Sequence, residues 1–211
     1  MRFDLIQLTH YIKYSTILNP TNFFEIGSRD GHDTKTISDF YKLPSKSCFI
    51  FEAHPDCYKQ ISYTYDFNVF HLAVTNENKY LTFNAAPLDS DNIGASSLTF
   101  RDNFKTNSVE VQGYRLDTIL ESIPDIQEID LMKLDVEGHT YEVLEGAGDR
   151  LKSIKAIQLE LEHVEIWPKQ KLYDDVKTYL YNNGFIMVNH VRLCNSQSDS
   201  LFIQPQYLKP E

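Results

Sequence analysis

Phe23-Phe24-Glu25-Ile26-Gly27-Ser28-Arg29-Asp30-Gly31 is the stretch on which the reading of the whole chain turns. An apolar run reaches an acidic residue and breaks into two glycines four positions apart, which spells a strand, a tight ligand-binding loop and the start of a helix. Glycine lets the backbone turn sharply and approach a ligand with no Cβ in the way, and open α/β sheets bind their ligands at this carboxyl edge. The loop lacks the G-x-G-x-x-G order that seats a dinucleotide pyrophosphate, so the expected ligand is a nucleoside without phosphates. A plain strand-to-helix connection is the alternative reading of these residues taken alone.

On the N-terminal side, Leu5, Leu8, Ile12, Ile17 and Leu18 recur at roughly helical spacing. This predicts an amphipathic helix over 3–18, stopped by Asn19-Pro20 and lying over the sheet or the ligand mouth. On the C-terminal side, a helix is expected over 33–41 with Ile37, Phe40 and Tyr41 inward, then a strand over 48–51 ending in Glu52. His54-Pro55-Asp56 opens the next helix, to about Tyr63, with proline in its first turn, and 67–74 reads as a third strand. Strand and helix alternate, so the sheet is expected to be parallel with right-handed crossovers.

Residues 80–84 and 109–112 read as half-exposed strands, separated by a polar segment around 89–97 long enough to be a lid or binding loop. Further on come a helix over 116–122, a core strand over 129–134 running into Asp135-Val136-Glu137-Gly138, and a helix over 140–151. A strand over 156–161, a helix over 170–183 closed by Gly184, and a closing pair of strands over 185–191 and 200–204 complete the chain. The organisation expected is an N-terminal helix over 1–20 and a single domain over 21–211 with a hairpin or lid insertion at about 76–113.

At 211 residues the chain suits one domain with a sizeable core, and 42% hydrophobic with 24% charged residues is an ordinary globular composition. A net charge of -10 argues against affinity built on phosphate neutralisation, hence against a general nucleic-acid binder. Three cysteines, Cys48, Cys57 and Cys194, lack metal-ligand spacing and fit a reducing compartment. No signal-peptide pattern and no apolar run long enough for a membrane span is present, so a cytoplasmic location is expected.

Glu52 stands 21 residues after Gly31, at a strand end. Nucleotide-binding α/β folds place an acidic residue at about this distance, roughly 20 residues on, to accept hydrogen bonds from ribose hydroxyls. Glu25 just before the first glycine suits a cationic ligand better than a phosphorylated one, since like charges repel in a partly desolvated site. S-adenosylmethionine, with an ammonium, a sulfonium and an adenosine, meets both conditions.

The chain resembles the FkbM-type S-adenosylmethionine-dependent methyltransferases over roughly residues 21–163. The resemblance lies in Phe24-Glu25-Ile26-Gly27 with Gly31, Phe51-Glu52-Ala53-His54-Pro55, Leu72-Ala73-Val74, Ser96-Ser97-Leu98 and Leu116-Asp117. Its most specific pieces are Ile129-Asp130-Leu131-Met132-Lys133-Leu134-Asp135-Val136-Glu137-Gly138 and Val143-Leu144-Glu145-Gly146-Ala147. What it implies is an α/β, Rossmann-like class I methyltransferase fold: a seven-stranded, mostly parallel sheet with an antiparallel last strand and helices on both faces. The implied activity is O-methylation of a hydroxyl on a sugar, glycan or related small molecule. By resemblance, Glu25, Gly27, Ser28, Arg29 and Gly31 hold the methionine and ribose part of the cofactor, Glu52 the ribose hydroxyls, and Ala53 and Ala73 the adenine border. Asp135 is implied to lie near the transferred methyl. Arg29 and Asp30 depart from the small or Asn residues usual in that loop, and His139-Thr140 replaces the usual alanine-glutamate pair.

Methyl transfer to a hydroxyl needs acceptor oxygen, methyl and sulfur held near a line and a base for the proton. Asp135, Glu137 and His139 are the candidate bases, with Lys133 neutralising their charge; a buried Lys133–Asp135 ion pair is the alternative for that couple. Along 156–162, Gln158, Glu160 and Glu162 alternate with apolar residues, which places polar side chains toward a cleft. Asp135, Glu137, Glu160, Glu162 and His163 form a minority alternative as ligands of a divalent ion, and the leading reading carries no metal. Trp167 either stacks on a sugar or packs. Two other functions stay open: a cofactor-binding but non-catalytic glycan-binding or assembly module, and a nicotinamide-dependent oxidoreductase, which the glycine spacing disfavours.

Overall fold

Every residue of the Phe23–Ile26 run is buried, as a central parallel strand covered on both faces requires. The computed structural model describes residues 3–89, 93–102 and 105–210. Along the chain lie α1 (Phe3–Ser15), β1 (Phe23–Ile26), α2 (His32–Tyr41), β2 (Cys48–Glu52), α3 (Pro55–Thr64), β3 (Asn68–His71), β4 (Ala73–Thr75) and β5 (Lys79–Ala85). There follow β6 (Asn107–Arg115), α4 (Leu116–Ser122), β7 (Leu131–Leu134), α5 (Thr140–Gly146), β8 (Ala156–Glu162), α6 (Tyr173–Asn182), β9 (Ile186–Arg192) and β10 (Gln197–Ile203).

The main sheet has seven strands in the order β3-β2-β1-β7-β8-β10-β9. Its first five are parallel, and β10 runs antiparallel to both neighbours. The order reverses between β1 and β7, which opens a crevice at their carboxyl ends. Period-two alternation sorts the strands' residues onto two faces. Phe24, Ile26, Phe49, Phe51, Met132, Leu134, Ile157 and Leu159 pack with Leu116, Leu120, Val143, Leu144, Val176 and Leu180 of α4, α5 and α6. Phe23, Cys48, Leu131, Ala156, Leu201 and Ile203 pack on the other side with Leu5, Leu8, Ile12 and Ile37 of α1 and α2. The first face holds a stack of rings, Phe24 on Phe49 at 4.6 Å and Phe51 on Phe70 at 5.2 Å. Burying Phe24, Phe49 and Phe51 stabilises by about 1.5–3 kcal/mol each.

Several expectations change. The first helix ends at Ser15 because the Thr16 hydroxyl donates to the Ile12 carbonyl at 2.6 Å and Thr16 bridges to Leu208. Ile17 is therefore exposed, and α1 covers the sheet with α2, with none of its described side chains lining the crevice. Phe40 is 36% exposed, not inward, and stacks edge-on against Tyr41. The strand expected over 67–74 is two strands: β3 ends the main sheet, and β4 turns away to pair with β6 in a second sheet ordered β4-β6-β5. The helix expected over 140–151 stops at Gly146 and continues as a 3-10 turn over Gly148–Ser153, where two glycines lower helix propensity. The helix expected from 170 starts at Tyr173, because the Gln170 side chain caps the preceding turn by accepting from the Ile166 and Trp167 amides. Of the polar segment expected as a loop, 90–92 lies outside the described residues; Ile93–Ala95 forms a 3-10 turn and Ser97 bridges to Asn84.

Cys48 and Cys57 are buried free thiols and Cys194 is exposed. Among the described residues no helix is long and apolar enough to cross a membrane.

Candidate active site

The strand ends of β1, β2, β7 and β8 open into a cleft of about 890 Å³, counting its solvent-open space. Phe83, Gly94, Ser96 and Leu98 of the second sheet and its loop close it from above. Its floor begins at the β1 loop, where Gly27 has φ 78°. A Cβ on Gly27 would fall 2.0 Å from the Asp135 carbonyl oxygen, so the two strand exits approach this closely only with glycine there. Arg29 also takes a left-handed conformation, φ 61°, and its guanidinium pairs with Asp30 at 2.9 Å.

Glu52 holds this loop. One carboxylate oxygen accepts from the Ser28 and Arg29 amides at 3.0 and 2.8 Å, the other from the His54 amide at 2.7 Å. Ser28 in turn accepts from the Gly31 amide through its hydroxyl at 3.0 Å. Of the residues expected around a cofactor, Gly27, Arg29, Glu52, Ala53, Ala73 and Asp135 line the cleft, whereas Glu25, Ser28 and Gly31 do not. Glu25 is fully buried beneath the loop, one oxygen accepting from the Thr34 amide and hydroxyl and the other without a hydrogen-bond partner among the described residues. Burial pushes its pKa to about 7 against the pull of Lys133.

The buried polar row across the sheet explains Lys133. Register places Glu25, Lys133 and Gln158 side by side on β1, β7 and β8. The Lys133 ammonium lies 3.0 Å from Asp33 and 3.1 Å from Asp135. Burial pulls its pKa down, but Asp135, Glu25 and Asp33 outweigh that and hold it above the ordinary lysine value. Lys133 does not line the cleft; it is the ion-pair partner beneath it.

Asp135, Glu137, His139 and Glu160 all line the cleft. Carboxylate oxygens of Asp135, Glu137 and Glu160 lie within 4.8 Å of one another. Burial, then the neighbouring charges of Asp135, Glu160 and Glu162, push the Glu137 carboxyl up to about 9. Glu137 sits at φ 45° followed by Gly138 at φ 80°, a corner on which Trp167 lies so close that a Gly138 Cβ would come within 2.3 Å of its ring. Trp167 is thus packing, 2% exposed, with the Arg101 guanidinium 4.9 Å from its ring centroid. Burial pushes the His139 imidazole down to about 4; its Nε2 is 2.9 Å from the Thr75 hydroxyl. The wider acidic set does not converge: Glu162 accepts from the Gly138 amide at 3.2 Å, and His163 bonds the Ser198 hydroxyl at 2.8 Å while stacking on Tyr173.

Asp33 and Phe83 shape the site without having been singled out in the sequence, and His54, Ser96 and Ser97 were quoted as parts of the family resemblance, with no role at the site attached. Asp33 had a signal, an acidic residue in the first turn after the glycine loop; His54 had one as the residue preceding a proline at a helix start. Phe83 and Ser96 reach the cleft, and Ser97 the Glu137 carbonyl behind it, only through the pairing of the second sheet.

A seven-stranded sheet ordered with a reversal at its centre, an antiparallel strand inserted next to last, and a ligand cleft over the reversal define the class I methyltransferase fold. Residues 25–187 match the Methyltransferase FkbM domain, so the chain belongs to the FkbM methyltransferase family. Among solved structures it is similar to the methyltransferase FkbM from Methylobacillus flagellatus KT (TM-score 0.57, 10% identity, covering 95% of this chain and 52% of that one). It is also similar to M. capricolum TrmK in complex with S-adenosyl-homocysteine (TM-score 0.51, 8% identity, 98% and 70% covered). A third is Aeropyrum pernix fibrillarin in complex with S-adenosyl-L-methionine (TM-score 0.51, 13% identity, 87% and 66% covered). The chain thus spans about half of the M. flagellatus protein. No functionally curated protein matches the sequence.

Proposed function

We propose that the cleft binds S-adenosylmethionine and that the protein is an O-methyltransferase acting on a hydroxyl of a neutral, hydroxyl-rich small molecule such as a sugar or glycan. The observation that carries this is one continuous cleft joining a glycine-floored loop and Glu52 to the Asp135–Glu137–Glu160 carboxylates. The residues fit the cofactor: Gly27 leaves the loop without a Cβ, Ala53, Leu72, Ala73 and Phe83 offer an apolar border for adenine, and Glu52 stands ready for ribose hydroxyls. Gly27 and Arg29 flank the methionine part, with Ser28, Gly31 and Glu25 acting from behind as the loop's support.

Bound, the cofactor supplies an electrophilic methyl. The chain's share is to place the acceptor and receive its proton. Asp135, held by the Lys133 ammonium 3.1 Å away, accepts the hydrogen bond of the acceptor hydroxyl; Lys133 fixes its orientation. Glu137, its carboxyl pushed up to about 9 and so protonated near neutrality, donates to a neighbouring hydroxyl and Glu160 accepts from one; the other carboxylates there repel an acceptor carrying phosphate or carboxylate at that end. His139, uncharged near neutrality, adds a polar wall. A net charge of -10 reads against a nucleic-acid acceptor, and the free thiols fit a cytoplasmic setting. We read the chain as one catalytic domain whose insertion at about 76–113 covers the cleft, with the N-terminal helix as its brace.

Calorimetric titration with S-adenosylhomocysteine tests the reading. Saturable one-to-one binding is expected, and no heat of binding at high protein concentration would overturn it.

A further inference from the structure

A chain of hydrogen bonds runs around the cleft from its cofactor end to its acidic end, and His54 is its first link to the second sheet. The His54 amide donates to Glu52 at 2.7 Å. Its Nδ1 accepts from the Asp56 and Cys57 amides at 3.2 and 3.5 Å, capping α3. A ring nitrogen that accepts carries no proton, so the proton sits on Nε2, which donates to the Ala86 carbonyl at 2.8 Å. The amide of the same Ala86 donates to the Ser96 hydroxyl at 3.0 Å. Ser97 pairs with Asn84 through both backbone groups, at 2.9 and 3.2 Å. Its hydroxyl donates to the Glu137 carbonyl at 2.7 Å. His54 is 3% exposed and Ser97 1%, and the His54 ring also stands edge-on to Phe83 at 6.3 Å.

Capping alone does not account for this histidine, since Asn, Asp or Ser caps a helix better than an imidazole does. What a shorter cap lacks is the reach to Ala86. We infer that His54 is a positioning residue that fastens the second sheet to the cofactor end of the cleft, so that occupancy beside Glu52 tightens residues 84–86 and 96–97 and, through Ser97, the Glu137 corner. The inference rests on the proposed cofactor reading of the cleft. Its physical content is a two-ended strap: Glu52 and His54 share one peptide corner at one end, and Ser97 grips the strained Glu137 peptide at the other.

The test is amide hydrogen exchange on the purified chain with and without S-adenosylhomocysteine, for wild type, His54→Asn and Ser97→Ala. Asn keeps the α3 cap and is too short to reach Ala86. In wild type, the ligand is expected to slow exchange across 84–86, 96–97 and 136–143 by about tenfold or more. In His54→Asn, calorimetry should still find saturable binding while the slowing over all three stretches disappears. In Ser97→Ala, protection should persist over 84–86 and vanish over 136–143. Full ligand-induced protection in His54→Asn overturns the inference, as does loss of ligand affinity in that variant, which would make His54 part of the binding site itself. Absence of binding to wild type overturns the cofactor reading instead. A measurement independent of any variant is the imidazole nitrogen spectrum of wild type: the Nε2–H tautomer is expected, and an Nδ1–H tautomer overturns the strap.

Discussion

The Lys133 ammonium lies 3.1 Å from the Asp135 carboxylate and 3.0 Å from that of Asp33, with the lysine side chain only 5% exposed. One cation therefore joins the strand that carries the acidic end of the cleft to the helix that follows the glycine loop. Lys133→Met leaves Asp33 and Asp135 facing each other without it. Removing one partner of a buried ion pair costs about 3–5 kcal/mol, so denaturant unfolding should show a loss of that order. The double variant Lys133→Met/Asp33→Leu should recover part of it.

Gly27→Ala puts a Cβ 2.0 Å from the Asp135 carbonyl oxygen at a backbone with φ 78°. Backbone has to move to admit it, and a left-handed alanine adds about 1–3 kcal/mol of strain. The displaced groups are the cleft floor itself. Calorimetry should find S-adenosylhomocysteine affinity reduced by at least about 100-fold, some 2.7 kcal/mol; an unchanged affinity would place the cofactor elsewhere.

Glu52→Ala strips three backbone amides, those of Ser28, Arg29 and His54, of their acceptor. Each buried unsatisfied donor costs about 1–3 kcal/mol, so this variant should lose both stability and cofactor affinity. Glu52→Gln keeps one acceptor oxygen and should fall between alanine and wild type in thermal unfolding. Asp135→Ala, by contrast, should lower turnover more than cofactor affinity once an acceptor is in hand.

Glu137 gives the stability curve a sign. Its carboxyl rises from 4.5 to about 9 on folding, so between these values the folded state holds the extra proton. Stability then falls as pH rises through this window, the penalty being absent below the lower value and complete above the upper one. Glu25 and Glu162, both near 7, act the same way over a lower range. Thermal unfolding between pH 7 and 9 isolates Glu137: the midpoint should drop with pH in wild type and flatten in Glu137→Gln. A parallel slope in the variant would remove Glu137 as the source.

Much of the fold was legible because it rests on local periodicity. Phe24-Glu25-Ile26 and Leu131-Met132-Lys133-Leu134 have no residue that tolerates water on either face except the charged one, and each became a central strand. Those charged residues also carried a meaning that only register supplied. Glu25 read as a group facing the ligand and turns out to be buried beneath the cleft; Lys133, read as a neutraliser of the candidate bases or as a buried partner of Asp135, is that buried partner. Both follow because neighbouring strands align the two with each other and with Gln158. Asp33 and His54 were visible as helix-start residues, but the partners that give them a role, Lys133 and Ala86, lie 100 and 32 residues away.

The family, the alternation of strands and helices, and the residue types that meet at the carboxyl edge were readable in the chain, since each is carried by short motifs and their order. Which of those residues touch the cleft was settled by the folding of distant segments onto one another. It split the strand expected over 67–74 between two sheets, brought Ser96 and Phe83 down over the site and Ser97 onto the Glu137 carbonyl, and turned Trp167 into the backing of Gly138. The reason is that strand pairing across a long insertion, and the face each residue then presents, are set by contacts between segments far apart in the chain. Local pattern carries no record of those contacts.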